Sequence, residues 1–253
     1  MSWDVMASGV CLVLLVGCGE VEVLSVAGAG DSPVGFAVVC SDYASSQVAL
    51  VEPDGYSVAT DVLIHSGSRE AGLALSLSGD LVLPSVHSSG SQTLLIDRTH
   101  GVLTWVDVRS GAVTRQLAVA QGFAGNPHDA VELADGGVLV SRYGSQPGQG
   151  AQGDDVAVFD ADGELLQRVS FQAAPGVAAR PDRMVPAAGG VIVSLNHGAS
   201  NFSEWEEGRY ARLSLSAGQW AVEDDWTVAG LKNCGGLATE GDSVALVCTG
   251  SFE

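Results

Sequence analysis

Four side chains in this sequence have the chemistry of a metal site or of a general base: His128, Asp129, Asp182 and His197. Imidazole nitrogens and carboxylate oxygens ligate divalent metals, and a carboxylate beside an imidazole sets up proton transfer. Asn126, Arg142, Tyr143, Arg183 and Asn196 lie close to these in the chain and add the polar and aromatic groups that line ligand sites. The shorter motifs carry less. Gly148-Gln149-Gly150-Ala151-Gln152-Gly153 spells GxGxxG, but a dinucleotide site needs a helix after it, and Asp154 to Asp160 reads as a strand. Asp160-x-Asp162-Gly163 lacks the further ligands and distal Glu of a calcium loop and reads as an Asp-Gly turn. There is no GxSxG, HExxH or CxxC, and Asn201-Phe202-Ser203 is a glycosylation sequon in form only.

Those residues hang on a stretch from Gly125 to Gly163. Val131 and Leu133 alternate with polar neighbours, Asp135-Gly136-Gly137 turns the chain, and Val138 to Val140 is apolar. After a Gly/Gln-rich loop, Val156, Val158 and Phe159 make a third strand, and Asp160 to Gly163 turns into a fourth, Leu165 to Phe171. Variants of this unit recur at Val38 to Gly55, Leu94 to Gly111 and Val191 to Gly218. The polar residue ending the second strand is read at Ser41, Arg98, Arg142, Leu195 and Thr249, and the closing turn glycines at Gly55, Gly111, Gly163 and Gly218. Both markers give a period of about 50 residues, the length of a four-stranded propeller blade.

The segments NPHDAVELADGGVLVSRYGS and DDVAVFDADGELLQRV resemble the YVTN-type propeller repeat, with its Asn-Pro-His start, Asp-Gly turn and Asp-closed strand. The resemblance covers roughly residues 34 to 250. It implies an all-β fold: a β-propeller of four-stranded antiparallel blades, four complete and a partial fifth from Leu231 to Glu253. A half-built blade leaves sheet edges open. The chain is therefore expected to be a fragment of a six- to eight-bladed ring, C-terminally incomplete. The alternative is that Glu20 to Ala29 pairs as an outer strand of the last blade.

Ahead of the repeats, Val5 to Val16 has the length of a signal-peptide core and is too short to span a membrane as a helix. It ends in Leu15-Val16-Gly17-Cys18, which resembles the bacterial lipobox, although the first residues carry Asp4 and no Lys or Arg. By that resemblance residues 1–18 are a lipoprotein signal peptide, Cys18 is the lipidated first residue, and Gly19 points to the outer membrane. The propeller domain is then 19–253, in the periplasm or at the cell surface. Cys234 and Cys248 lie symmetrically about Gly241, opposite each other in a hairpin, and an exported compartment would oxidise them to a disulfide. Cys40 holds the matching strand position in the first repeat without a partner, so it is expected buried and free. A formal charge of -19, from 30 acidic and 11 basic residues, repels phosphate backbones and argues against nucleic acid as a partner.

In antiparallel blades the connection leading into each blade and the loop after its second strand emerge on one face. That face is expected to gather Asn126, His128, Asp129, Arg142, Tyr143, Asp182, Arg183, Asn196 and His197, together with Asp42, Tyr43, Arg180 and the long loops around Gly144–Gly153 and Gly198–Gly208. The bland reading has Asn126 and His128 capping the start of a blade and Arg142 and Arg183 paired with nearby aspartates. The functional expectation is a lipid-anchored, extracytoplasmic propeller that binds a protein, glycan or small molecule at this face. It assigns no cofactor, metal or catalytic residue. The alternatives are a propeller lactonase or similar hydrolase, metal-assisted through His128, Asp129 and His197, and a structural spacer.

Overall fold

Strands rich in Val, Ile and Leu on both faces cannot leave either face in water, so each sheet needs a neighbour on each side. The structure, a computed structural model, describes residues 22–25, 35–69, 72–86, 91–146, 152–173, 175–187, 189–199, 205–240 and 243–250. The first sheet is β1 (Glu22–Ser25), β2 (Phe36–Ser41), β3 (Ser46–Val51) and β4 (Val58–His65); the second is β5 (Leu81–Val82), β6 (Gln92–Asp97), β7 (Val102–Asp107) and β8 (Val113–Ala118). The third is β9 (Pro127–Glu132), β10 (Val138–Gln146), β11 (Gln152–Phe159) and β12 (Leu165–Ser170). A short β13 (Val177–Ala178) precedes the fourth sheet, β14 (Pro181–Ala187), β15 (Gly190–Leu195), β17 (Glu207–Ser216) and β18 (Gln219–Lys232), and pairs with β16 (Gly198–Ala199) inside it. β19 (Cys234–Glu240) and β20 (Ser243–Cys248) form a two-stranded fifth. Within every sheet the strands lie in chain order and antiparallel, and no helix occurs among the described residues.

Side-chain alternation turns these sheets into a stack. Val138, Val140, Ala157 and Phe159 of the third sheet pack on Leu94, Ile96, Leu103 and Trp105 of the second. From its other face, Leu139, Val156 and Val158 pack on Met184, Val193, Ala211 and Leu213 of the fourth. Ala37, Val39, Val48 and Ile64 of the first sheet meet Leu81, Leu83, Leu95 and Val106 of the second. Each buried aliphatic side chain contributes about 1.5–3 kcal/mol. Four sheets packed face to face in sequence order are the blades of a β-propeller, with the first strand of each blade innermost.

Polar staples fix the blades in register. Asp129 on β9 is fully enclosed; its Oδ1 accepts from the amides of Ser85 (2.8 Å) and Ala130 (2.8 Å), and its Oδ2 from Met184 (2.6 Å). One carboxylate thus ties the central segments of three consecutive blades. Ser41, Ser141 and Ser194, near the ends of the second strands, donate to Gly79 O, Asp182 O (2.6 Å) and Gly235 O (3.3 Å), each at the start of the next blade. Farther out, Trp105 Nε1 donates to Glu132 Oε1 (2.6 Å), and Arg115 lies 4.6 Å over the same indole.

The structure refines several expectations from sequence. All four marker glycines, Gly55, Gly111, Gly163 and Gly218, have positive φ, as hairpin turns require. The other marker is off by one in two blades. The amides of Arg98, Tyr143, Asn196 and Thr249 donate to the carbonyls of Asp80, Asn126, Arg180 and Asn233, so Tyr143 and Asn196, not Arg142 and Leu195, are the equivalent positions. A register shift in β10 at Ser141/Arg142 displaces the third blade, and one in β14 between Pro181 and Met184 accompanies the offset in the fourth. Glu22–Ser25 pairs with Phe36–Val39 as the first strand of the first blade, so the alternative in which Glu20 to Ala29 completes the last blade does not hold. Cys40 is exposed rather than buried: Ala37 and Val39 point to the second sheet, and alternation turns Cys40 to the other side beside exposed Gln47.

Cys234 and Cys248 are joined, opposite one another in the β19–β20 ladder. From Gly236↔Val247 to Glu240↔Ser243 the ladder runs one step out of register with a turn centred on Gly241, and an irregularity between Cys234 and Gly236 restores the facing pair. The GxGxxG segment connects two antiparallel strands of one sheet, and its residues 148–151, like Cys18, the rest of the leader and Asn201-Phe202-Ser203, lie outside the described residues.

Two outcomes follow for stability. Cys248→Ser, which opens a bridge of sequence separation 14, is expected to cost about 3 kcal/mol in urea denaturation under non-reducing conditions. Asp129→Asn leaves one oxygen to serve three amides and is expected to cost about 2–3 kcal/mol. Burial raises the Asp129 carboxyl above its usual range, against the pull of Arg183 and the donating amides. The folded protein therefore holds this proton more tightly than the unfolded chain. Its contribution to stability is fully present below the ordinary Asp pKa and falls as pH rises through the elevated one; that component should vanish from the Asp129→Asn pH profile.

Candidate functional site

The third and fourth blades end on the same face in matching turns. Asn126 and Arg180 lead into β9 and β14 with φ of 43° and 52°, and each precedes a proline, Pro127 or Pro181. Proline disfavours right-handed helical backbone in the residue before it, and a left-handed non-glycine costs about 1 kcal/mol, so other contacts must hold these turns. Asp154 supplies them for Arg180: its carboxylate accepts from the amides of Arg180 (2.5 Å) and Ala179 (2.9 Å). The β13–β16 pair and Trp205, bridged to Gly198, brace the loop over the fourth blade. A Cβ on Gly198 would stand 2.6 Å from the Trp205 ring, so only glycine lets that ring lie so close.

Between these turns a cluster forms from both blades. His128 at the start of β9 and Tyr143 near the end of β10 stack with centroids 4.1 Å apart and planes 9° from parallel. Arg180 lies 5.0 Å over the Tyr143 ring. Asp182 on β14 is the hub: Oδ1 meets His128 Nδ1 at 2.8 Å and Oδ2 accepts from Asn196 Nδ2 at 2.8 Å. The same amide nitrogen lies 3.5 Å from the Tyr143 hydroxyl. Burial would raise the Asp182 pKa, but His128, Arg183 and the Asn196 amide outweigh it and hold the carboxyl below its usual range. An ionised Asp182 only accepts, so His128 carries its proton on Nδ1 and, when neutral, presents Nε2 as an acceptor. Burial pushes the Tyr143 phenol up. Gly235 of the fifth sheet closes in from the far side; a Cβ there would sit 2.6 Å from Asp182 Oδ2.

The other residues expected on this face take separate positions. Arg142 is completely buried in a bidentate pair with Asp155 (2.7 and 2.6 Å), with Nη1 near Val119 O (3.4 Å) and Phe123 5.1 Å beneath its guanidinium. Asp129 is adjacent to His128 in sequence but turns to the backbone amides of three blades. Arg183 donates to Leu83 O (3.2 Å) and lowers the pKa of both Asp129 and Asp182. Asn126 contributes its carbonyl to Tyr143. His197 is buried, has φ of 47°, and leaves Nε2 without a partner; burial and then Arg209 lower its pKa to about 4, so it is neutral at ordinary pH. Asp42 closes its own turn through Ala44 and Ser45, and Tyr43 stands exposed beside a cleft between the first two blades.

Of the four side chains with the chemistry of a metal site or general base, His128 and Asp182 meet directly, and Asp129 and His197 are not bonded to them. Among the described residues no three His, Cys, Asp or Glu side chains are placed to hold a metal. Asp154 and Asp155 escaped the sequence reading, although extending the ladder from Val138↔Phe159 puts Asp155 opposite Arg142. Gly235 had no signal at all, since its role comes from a neighbouring blade.

No protein-family model and no curated protein sequence matches the chain. Several solved structures share its architecture. Hydrazine synthase of Kuenenia stuttgartiensis aligns over 85% of this chain and 52% of its own, with 11% identity and a TM-score of 0.58. BBS1N, solved in complex with ARL6DN, aligns over 94% of this chain and 64% of its own, with 13% identity and a TM-score of 0.53. Streptogramin B lyase aligns over 85% and 58%, with 10% identity and a TM-score of 0.50. At such identities the likeness is one of fold, and proteins of this shape serve many functions. The chain has the β-propeller fold and spans less than two-thirds of the length of each of these three structures.

Proposed function

We propose that this chain is the propeller of a lipid-anchored binding protein of the bacterial envelope, which takes up its ligand or partner at the face bearing His128, Tyr143, Asp182 and Asn196. The observation that carries the reading is the meeting of these four groups from two blades, with the stacked His128–Tyr143 pair and Asp182 fixed by donors on both oxygens. Preorganised polar groups beside an aromatic pair are what recognition needs, because little ordering is left for the moment of binding. The Cys234–Cys248 disulfide supports an oxidising compartment. The lipobox-like Leu15-Val16-Gly17-Cys18 supports an anchor at Cys18, placing the propeller at the outer membrane, facing the periplasm or the surface. Asp129, Arg142 and His197, all buried, then act as supports of the face, while Asn126 and Arg183 are half-buried.

A second reading has one observation in its favour. The Asp182–His128 pair leaves Nε2 as a proton acceptor, the arrangement of a general base, as a propeller lactonase or related hydrolase would need.

Three experiments test these readings. In the producing bacterium the full-length protein should label with palmitate and fractionate with membranes, and Cys18→Ala should lose both; an unlabelled wild type in the soluble fraction overturns the anchor. Vesicle-bound full-length protein should retain a component of envelope extract saturably, with retention at least about tenfold weaker in His128→Ala/Asp182→Ala. Equal retention by both overturns the assignment of the site. Steady hydrolysis of a panel of lactones and esters, abolished by His128→Ala, replaces the binding reading with the enzymatic one.

A further inference from the structure

The fifth sheet meets the cluster through Gly235. A Cβ on that residue would stand 2.6 Å from Asp182 Oδ2 and 3.5 Å from both amide atoms of Asn196, so bare backbone lies over them. Asn196 gives Nδ2 to the carboxylate (2.8 Å) and turns Oδ1 away, and Oδ1 is buried there without a hydrogen-bond partner. A buried acceptor with no donor costs stability, so the closed arrangement is opposed at the very contact that Gly235 makes. Ser194 Oγ, 3.3 Å from Gly235 O, is a small counterweight. The Cys234–Cys248 bridge, one residue away, is the larger one.

The fifth sheet has little else to hold Gly235 down. Ser243, Val244, Ala245 and Val247 of β20 are exposed, its outer edge is unpaired among the described residues, and a two-stranded ladder by itself is marginal. The irregularity between Cys234 and Gly236 leaves Gly235 out of the ladder. Cys234 is fully buried, with its Sγ against Gly208, whereas Cys248 is half-buried, so a reductant reaches Cys248 Sγ first. We propose, resting on the binding reading above, that this disulfide is a redox latch: intact, it holds Gly235 shut over Asp182 and Asn196, and once reduced by a dithiol it lets Gly235 lift and opens both side chains to a ligand. One thiolate of the dithiol attacks Cys248 Sγ, the S–S bond breaks, and Cys234 leaves as a thiolate that takes up a proton. The second thiolate attacks the dithiol's own sulfur in that mixed disulfide and releases Cys248. The dithiol ends as a disulfide, and its two electrons and two protons end on the two cysteine thiols. Losing a bridge of sequence separation 14 multiplies the open population by roughly a hundredfold.

Carboxyl footprinting of the full-length protein in detergent tests the latch. The protein is labelled with a water-soluble carbodiimide and glycine ethyl ester, either bridged or after reduction by dithiothreitol and removal of the reductant. Reduction should raise labelling of Asp182 by about tenfold or more, reversibly on reoxidation, while Asp129, enclosed between blades, stays unlabelled. Gly235→Ala, whose Cβ cannot fit against Asp182, should raise Asp182 labelling with the bridge intact. Cys234→Ala/Cys248→Ala should label as the reduced protein does, ignore dithiothreitol, and retain the envelope component several-fold more strongly than the bridged protein. Asp182 labelling unchanged by reduction overturns the latch. Labelling of Asp129 together with Asp182 also overturns it, because the bridge is then a staple of the whole fold. If Asp182 opens and the envelope component is retained equally in both states, control of the site falls and the binding reading stands. If Asp182 opens and neither state retains anything, the latch stands and the binding reading falls.

Discussion

A sheet that is apolar on both faces cannot end against solvent, and that constraint orders everything else in this molecule. Val138 and Val140 commit one face of the third blade to the second, and Leu139, Val156 and Val158 commit the other to the fourth. Strand alternation leaves no third direction for a side chain, so chemistry is expelled to the ends of the strands. Turns at one end and loops at the other are the only places where polar groups can gather without interrupting a core. Asp129 is the exception that shows the rule. It sits among the central strands, and it is tolerated because three backbone amides converge on it.

At the loop-bearing end, the same logic concentrates polar groups around a single carboxylate. Asp182 receives one donor from its own blade and one from the preceding blade, so the cluster measures the alignment of two sheets as well as their separate folds. Ser141 adds a bond to the Asp182 carbonyl and Ser194 one to the Gly235 carbonyl, so the backbone beneath the cluster is held by the neighbours on either side. Low dielectric makes such a network strong when complete and costly when broken. Arg142 and Asp155 form a separate ion pair within the third blade, wholly enclosed.

Much of the architecture could be read from residue patterns, and the reasons are local. Gly163 after Asp160 specifies a turn because Asp160 Oδ1 accepts from the amides of Asp162 and Glu164 and the glycine takes positive φ. The Cys234–Cys248 pair followed from counting outward from one turn, even though an irregularity at Gly235 was needed to make the count come true. The positions that misled involve partners far away in sequence. Arg142 looked like a residue of the mouth because it ends an apolar run, yet a shift in β10 carries Tyr143 to that place instead. Asp129 looked like a companion of His128, but adjacent residues on a strand point to opposite sides. Cys40 is exposed because burial in a propeller depends on which neighbour covers a face, a property no single repeat encodes.

The left-handed residues at the head of the third, fourth and fifth blades, Asn126, Arg180 and Asn233, give this face an unusual freedom. Each sets the direction of its strand with main-chain atoms, through a carbonyl that receives the amide of Tyr143, Asn196 or Thr249. The side chains at those corners take different tasks: Arg180 Nε donates to Gly198 O (3.1 Å) with its guanidinium over the Tyr143 ring, and Asn233 Nδ2 donates to Thr249 Oγ1 (2.7 Å). Asn126 and Arg180 differ in size, charge and reach while the corner beneath them stays the same. Such corners act as sockets of common shape, in which one blade can be refitted for a new task without disturbing the rest of the wheel.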